Sequence, residues 1–287
     1  MKNKIKILSE LTKIKITSFV TITTFFGYIC YSGEINSGLI APVIGILFLA
    51  CGSAAINHYQ ERNTDALMKR TMNRPIPSGR ISPSNALMIA ILLALTGTVI
   101  LITGAGILAA SLALLNLIWY NGIYTPLKKK NPMAIIPGSL VGAIPPAVGW
   151  VAAGGNLLDS GIIIISFFFF IWQIPHFWLL LLVLDKDYKQ AGFPTLTTIF
   201  SHSQLARITF IWILATVVTG VIIPLFGITK FPAINFLLFT AGIWLGWNAF
   251  KLLKETSDMI SFRFAFRDIN AFALLVIVLL SIDKLFI

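Results

Sequence analysis

Charge is scarce in this 287-residue chain: Asp, Glu, Lys and Arg together make up 11% of it, against 57% hydrophobic residues. With a mean hydropathy of +0.87, a soluble core cannot absorb so much apolar surface, and water-soluble classes are excluded. Cysteine is nearly absent. Cys30 and Cys51 both lie in apolar runs, which excludes a disulfide framework or a thiolate metal centre. Histidine is limited to His58, His176 and His202. Two of these fall in polar links between apolar runs, which argues against a resident heme with paired axial ligands inside a membrane. The first fifteen residues, MKNKIKILSELTKIK, lack the Arg and Ser bias of a transit peptide, and no small-residue cleavage site follows the first apolar run. They read as a mature cytoplasmic tail.

What the chain does have is long apolar runs. A hydrocarbon layer of about 30 Å needs roughly 20 apolar residues per helix. Nine runs meet that need, near 16–33, 38–58, 84–103, 106–124, 134–153, 160–182, 205–227, 232–252 and 264–286. The expectation is an all-α integral membrane bundle of nine transmembrane helices, forming a single domain over 1–287. All Lys and Arg except Lys230 and Lys284 fall on one side of this map. By the positive-inside rule the N-terminus and the long links, 59–83 and 183–204, are cytoplasmic and the C-terminus lies outside. The basic balance of +11 therefore reports topology and does not indicate nucleic acid.

Several of the eleven acids, Glu61, Asp65, Asp185, Asp187 and Asp268, lie at or near cytoplasmic helix ends, where an ionisable group needs a wet cavity or a partner. Asn57, Glu61 and Asp65 are spaced by four, so on a continuous helix they drift by only about 80° and form one polar stripe, which Lys69 extends if the helix continues. Such hard oxygen donors suit Mg²⁺, and Lys69, Arg70, Arg74 and Arg80 nearby suit phosphate oxygens. Two readings stand at this point: a metal-bound polyphosphate site, or ordinary ion pairs in a solvated loop.

His176, in WQIPHFW, is the only histidine inside an apolar run. It shares a face with Asp187 eleven positions on, close to three turns, whereas Asp185 points away if the helix is unbroken. Its alternative is a core imidazole bonded to a carbonyl freed by Pro175. Lys128, Lys129 and Lys130 fit either a phosphate contact or a topology and lipid signal. The aromatics at 167–172 and 177–178 fit either an isoprenoid cavity or a lipid-facing surface.

Taken together, NHYQERNTD at 57–65, MKRTMNRPIPSGRIS at 68–82, YTPLKKKN at 124–131, GSLVGAIPPAVGW at 138–150, WQIPHFW at 172–178 and DKDYKQAGFPTL at 185–196 resemble the UbiA-type intramembrane prenyltransferases, and within them the heme o synthase branch. That resemblance implies a bundle around a central cavity, a prokaryotic plasma-membrane location, and transfer of a farnesyl group from farnesyl diphosphate to a vinyl group of heme b with addition of water. It implies that Asn57, Glu61 and Asp65, with Asp187, hold Mg²⁺; that Arg70 and Arg74, with Lys69, Arg80, Lys128, Lys130 and Lys186, grip the diphosphate; and that His176, with Trp172, Gln173 and Tyr188, meets heme. A heme a synthase or a heme-copper oxidase assembly factor is the implied partner. Two departures stand out: Glu61 replaces the Asp common at that position, and a full DxxxD second motif is lacking. A quinone-precursor prenyltransferase and, in a different class, a polytopic transporter are the alternatives.

Overall fold

A computed structural model describes residues 2–253 and 259–286. The described chain is helical throughout. In order come α1 (Lys2–Leu11), α2 (Ile14–Ser32), α3 (Ile40–Asp65), α4 (Pro83–Gly104), α5 (Ile107–Ile118), α6 (Thr125–Leu127), α7 (Ile135–Gly138), α8 (Leu140–Ala152), α9 (Ser160–Val183), α10 (Asp185–Gln190), α11 (His202–Ile222), α12 (Pro232–Ala249) and α13 (Met259–Phe286). Between α5 and α6 runs a turn of π-helix, Trp119–Tyr124. Among the described residues nine stretches are long and apolar enough to span a bilayer. They fall where the hydropathy pattern predicts, with one marked exception: the second runs on to Asp65.

Local chemistry sets the ends. Gly33 closes α2 at φ 71°, its N–H returning to the Ile29 carbonyl, a left-handed turn that glycine adopts without penalty. Ser82 caps α4 by accepting from the Asn85 N–H, with Pro83 behind it. At α11, Ser201 and Gln204 form a reciprocal capping box.

Close helix contact depends on missing side chains. A Cβ on Gly149 would stand 1.9 Å from the Thr24 carbonyl oxygen, and one on Gly27 would stand 2.0 Å from that of Pro146, so α2 and α8 meet backbone to backbone. Small residues perform this role in membrane bundles, where no hydrophobic force drives helices together. The largest core packs Phe26, Phe168, Phe169, Trp178, Phe262 and Phe272 between α2, α9 and α13, while Phe19, Leu92, Leu95 and Trp247 are exposed on the outside, as expected for a lipid-facing surface. The aromatics of α9 thus divide: Phe168, Phe169 and Trp178 are core, and Phe167 faces outward.

The N-terminal segment differs from the expected tail. It folds as α1, and Leu11 is fully buried with Ala55, Ile76, Ala86 and Ala90. Glu10 pairs with Arg80, which fastens α1 to the link between α3 and α4. Of the one-sided cations, Lys254 lies outside the described residues.

Candidate active site

Because α3 continues through Asp65, the link expected at 59–83 begins only after that residue, and Asn57, Glu61 and Asp65 stay on one helical face. All three are buried, at 0%, 6% and 1% exposure. Each meets a different cation or donor. Lys13 Nζ donates to Asn57 Oδ1 at 2.6 Å; Lys128 Nζ lies 2.7 Å from Glu61 Oε1; Arg74 Nη1 lies 2.8 Å from both oxygens of Asp65. The result is an inward ring of alternating charge, not a solvated loop.

The ring is braced from the fourth span. Asn121, on the π-turn, accepts from Ser53 Oγ at 2.6 Å and donates to the Ser53 carbonyl at 3.0 Å. Gln60 Nε2 donates to the Asn121 carbonyl at 2.9 Å, and Asn57 Nδ2 donates to Thr125 Oγ1 at 3.2 Å. These bonds lock the π-turn against α3 and so aim Lys128 at Glu61. π-turns widen a helix locally and recur at functional sites. Burial works to lower the Lys128 pKa, but the Glu61 carboxylate outweighs it and holds the ammonium above its usual range.

Lys13 was not a sequence candidate. It sits between α1 and α2 at φ 49°, a left-handed conformation that costs a side-chain-bearing residue about 1 kcal/mol. Desolvation, and then the nearby Arg74 charge, bring its pKa down to about 7. Strain and, among the described residues, a cation without a carboxylate partner at one position point to a functional constraint. Nothing in the tail sequence separates Lys13 from the topology-setting lysines around it. His58 also differs from its expected place in a link: it is 1% exposed on α3, and among the described residues neither ring nitrogen has a hydrogen-bond partner. A signal was available, since His58 lies seven residues, two turns, before Asp65.

Other expected residues fall away from the ring. Lys69 is exposed beyond the end of α3 and does not extend the stripe. Arg80 is held by Glu10 and the Asn73 carbonyl. Lys130 and Lys186 are exposed, and Lys129 donates to the Gln60 carbonyl, so Lys128 alone of its triplet turns inward. The shared face of His176 and Asp187 fails because the helix breaks at Leu184, φ −101° and ψ 10°. Asp187 faces Arg70 at 3.9 Å, which joins the two long links. Asp185 is tied instead to Lys189 and Thr197. Tyr188 packs on Phe193, and Asp268 pairs with Arg267.

The four oxygen donors expected for a metal are therefore not one cluster; among the described residues no three of His, Cys, Asp and Glu gather within metal-binding reach. Glu61 and Asp65, with the Asn57 amide oxygen, still fit a divalent ion. The donor set suits it, because Mg²⁺ needs only one or two carboxylates when phosphate oxygens and water complete its shell.

At the second locus, His176 Nδ1 lies 2.7 Å from Asn270 Oδ1 on α13, not against a carbonyl freed by Pro175. Its ring is flanked by Trp172, Phe177 and Phe266 at centroid distances of 4.8, 5.5 and 5.0 Å. Phe177 in turn stacks on Tyr124 at 5.9 Å, and Tyr124 lies 5.5 Å from Lys128 Nζ, so aromatic contacts link this locus to the charged ring. Gln173 Oε1 occupies the space a Cβ on Gly142 would fill, 2.4 Å away. Farther along α9, an apolar pocket of about 350 Å³ is lined by Leu140, Ala143, Ile163, Phe167 and Phe170 and includes no charged residue.

A model of the UbiA prenyltransferase family matches residues 20–270. A protoheme IX farnesyltransferase of Oleidesulfovibrio alaskensis is 30% identical over 278 residues, covering 96% of each chain. One from Gloeobacter violaceus is 35% identical over 97% of this chain and 92% of its own. Among solved structures, one of a digeranylgeranylglyceryl phosphate synthase superposes with a TM-score of 0.82 at 17% identity over the whole of both chains. A UbiA homolog from Archaeoglobus fulgidus bound to GPP and Mg²⁺ superposes at 0.70 with 14% identity, over 96% of this chain and 99% of that one. The two structures speak for the fold. The family match and the relatives at 30% identity and above, over nearly the full length, go further: this multi-pass membrane chain belongs to the UbiA prenyltransferase family and groups there with the protoheme IX farnesyltransferases.

Proposed function

We propose that the chain transfers a farnesyl group from farnesyl diphosphate to a vinyl group of heme b, with addition of water, to give heme o. The observation that carries this reading is the buried ring in which Glu61 meets Lys128, Asp65 meets Arg74 and Asn57 meets Lys13. A diphosphate is the anion such an array suits. Its oxygens can take over the cations while the isoprenoid tail enters the apolar bundle.

The reaction breaks the allylic C–O bond, and the electron pair leaves with the diphosphate. Lys13, Arg74 and Lys128 stabilise the charge that develops there, and fixed charges in a dry site do this with little reorganisation. Asn57, Glu61 and Asp65 would hold Mg²⁺, which when bound supplies further neutralisation of the leaving group. The vinyl π electrons bond to the allylic carbon, water adds to the resulting cation, and one proton is lost. Trp172, Phe177 and Tyr124 border the path between the two loci and shield a cation from premature capture by water. Arg70 and Asp187 close the cytoplasmic side by joining the two long links.

The bacterial relatives support a prokaryotic plasma-membrane location, and the charge map supports an N-terminus in the cytoplasm with the ring at the inner leaflet. A heme a synthase or a heme-copper oxidase assembly factor is the fitting recipient of the product. A quinone-precursor acceptor would leave His176 and its partner on α13 without a task, and a transporter would place its acids near the midplane. The test is expression in a host without its own heme farnesylation, followed by pigment analysis by mass. Heme o should accumulate; a prenylated aromatic acid, or unmodified heme b alone, would refute the assignment.

A further inference from the structure

At the second locus His176 bonds the side chain of Asn270, and that bond determines which nitrogen is free. Asn270 Nδ2 donates to the Phe266 carbonyl at 2.6 Å. A backbone carbonyl only accepts, so the amide orientation is fixed and Oδ1 is the atom facing His176 at 2.7 Å. Oδ1 also only accepts. The proton of the imidazole therefore sits on Nδ1, and Nε2 carries the lone pair.

Among the described residues nothing bonds Nε2, and His176 is only half-buried. The flanking rings offer it no donor, because the Trp172 N–H is taken by the Ile269 carbonyl at 3.2 Å. α13 thus anchors both His176 and Trp172. A lone pair in an aromatic setting calls for a donor or a Lewis acid. Magnesium prefers oxygen ligands. A heme propionate is itself an acceptor, and an isoprenoid chain offers neither a donor nor an acid. Porphyrin iron meets the requirement, since imidazole is among its ordinary ligands.

We propose that Asn270 is a positioning residue that holds His176 as the Nδ1–H tautomer, and that Nε2 of His176 is an axial ligand of the iron of substrate heme. This rests on the heme reading above. The axial bond ties the macrocycle at its centre, leaving rotation about the Fe–N axis as the main freedom to be set before a vinyl group meets the allylic carbon. An acceptor behind a ligating histidine fixes the ring and raises its basicity, and its loss typically weakens metal binding by about ten- to a hundredfold.

The test titrates the full-length protein in detergent with hemin, in ferric and dithionite-reduced forms, followed by optical and EPR spectra. Wild type should give a histidine-ligated spectrum. His176→Gly should lose that signature and regain it with added imidazole. Asn270→Leu should weaken hemin binding by at least tenfold, whereas Asn270→Asp, which keeps an acceptor, should retain ligation and shift the iron to a lower reduction potential. Farnesyl diphosphate binding should persist in all three variants. A wild-type spectrum in His176→Gly, or wild-type hemin affinity in Asn270→Leu, would overturn this inference while leaving the heme reading intact. Failure of the wild-type protein to take up hemin would overturn both.

Discussion

Arg74 and Lys13 do different work in the ring. Asp65 is 1% exposed and both of its oxygens rely on Arg74, so Arg74→Ala leaves a buried carboxylate unpaired. Such losses cost about 3 kcal/mol or more. The variant should insert into the membrane, unfold at a lower temperature in detergent, and make no heme o; Asn57→Ala should also make none. Lys13→Asn relieves the left-handed backbone, because asparagine tolerates that region, and this offsets the bond to Asn57 Oδ1 that is lost together with the charge. Its thermal stability should match or exceed wild type while farnesyl diphosphate affinity, measured by displacement of a labelled analogue, falls at least tenfold. The acids of the ring were legible from the four-residue spacing of Asn57, Glu61 and Asp65. Its cations were legible only in part, because a lysine that sets topology and one that enters a site look alike. Lys128 turns inward and Lys130 does not, and only the bonds that hold the π-turn decide which.

Among the elements, α3 carries the site because it is longer than its apolar run. Hydropathy ends near residue 58, but Glu61 and Asp65 beyond it face inward on a helix that continues to Asp65. Periodicity misleads at α9, where the face shared by His176 and Asp187 assumed a helix that breaks at Leu184. The π-turn and the Asn270 bond escaped notice for a common reason: each depends on a partner from another span. At the α2–α8 contact, Gly149→Ala would drive a methyl group into the Thr24 carbonyl, and overpacking of this kind costs about 1–3 kcal/mol. A lower unfolding temperature in detergent should follow, with hemin binding reduced in proportion to the folded fraction. At α10, burial works to raise the Asp185 pKa, but the Lys189 and Thr197 bonds outweigh it and hold the carboxyl below its ordinary value. A depressed carboxyl contributes stability above its unfolded pKa and loses it as pH falls through the folded one. Asp185→Asn should therefore unfold earlier than wild type at pH 7, and the difference should shrink as acid protonates the folded carboxyl.

At the scale of the whole molecule, one asymmetry organises the rest: cations and acids crowd one end of the bundle, and the other end keeps few. Two acids at the sparse end are structural. Asp283, fully buried, accepts from the Lys230 and Phe231 N–H groups, and Asp159 accepts from the Trp150 indole. At the crowded end the acids are bonded to cations a diphosphate could claim. The span count and their order were readable from composition because lipid imposes a length on every helix, whereas the joining of the two long links through Arg70 and Asp187 was not, since they are far apart in the sequence. The central claim is that the ring holds a diphosphate as it departs. The most direct measurement supplies purified protein with farnesyl diphosphate, heme b and Mg²⁺ and follows diphosphate release and heme o together. Equal molar yields are predicted in wild type, with both products falling at least a hundredfold in Lys128→Met and in Glu61→Gln; wild-type yields of both from either variant would contradict the account.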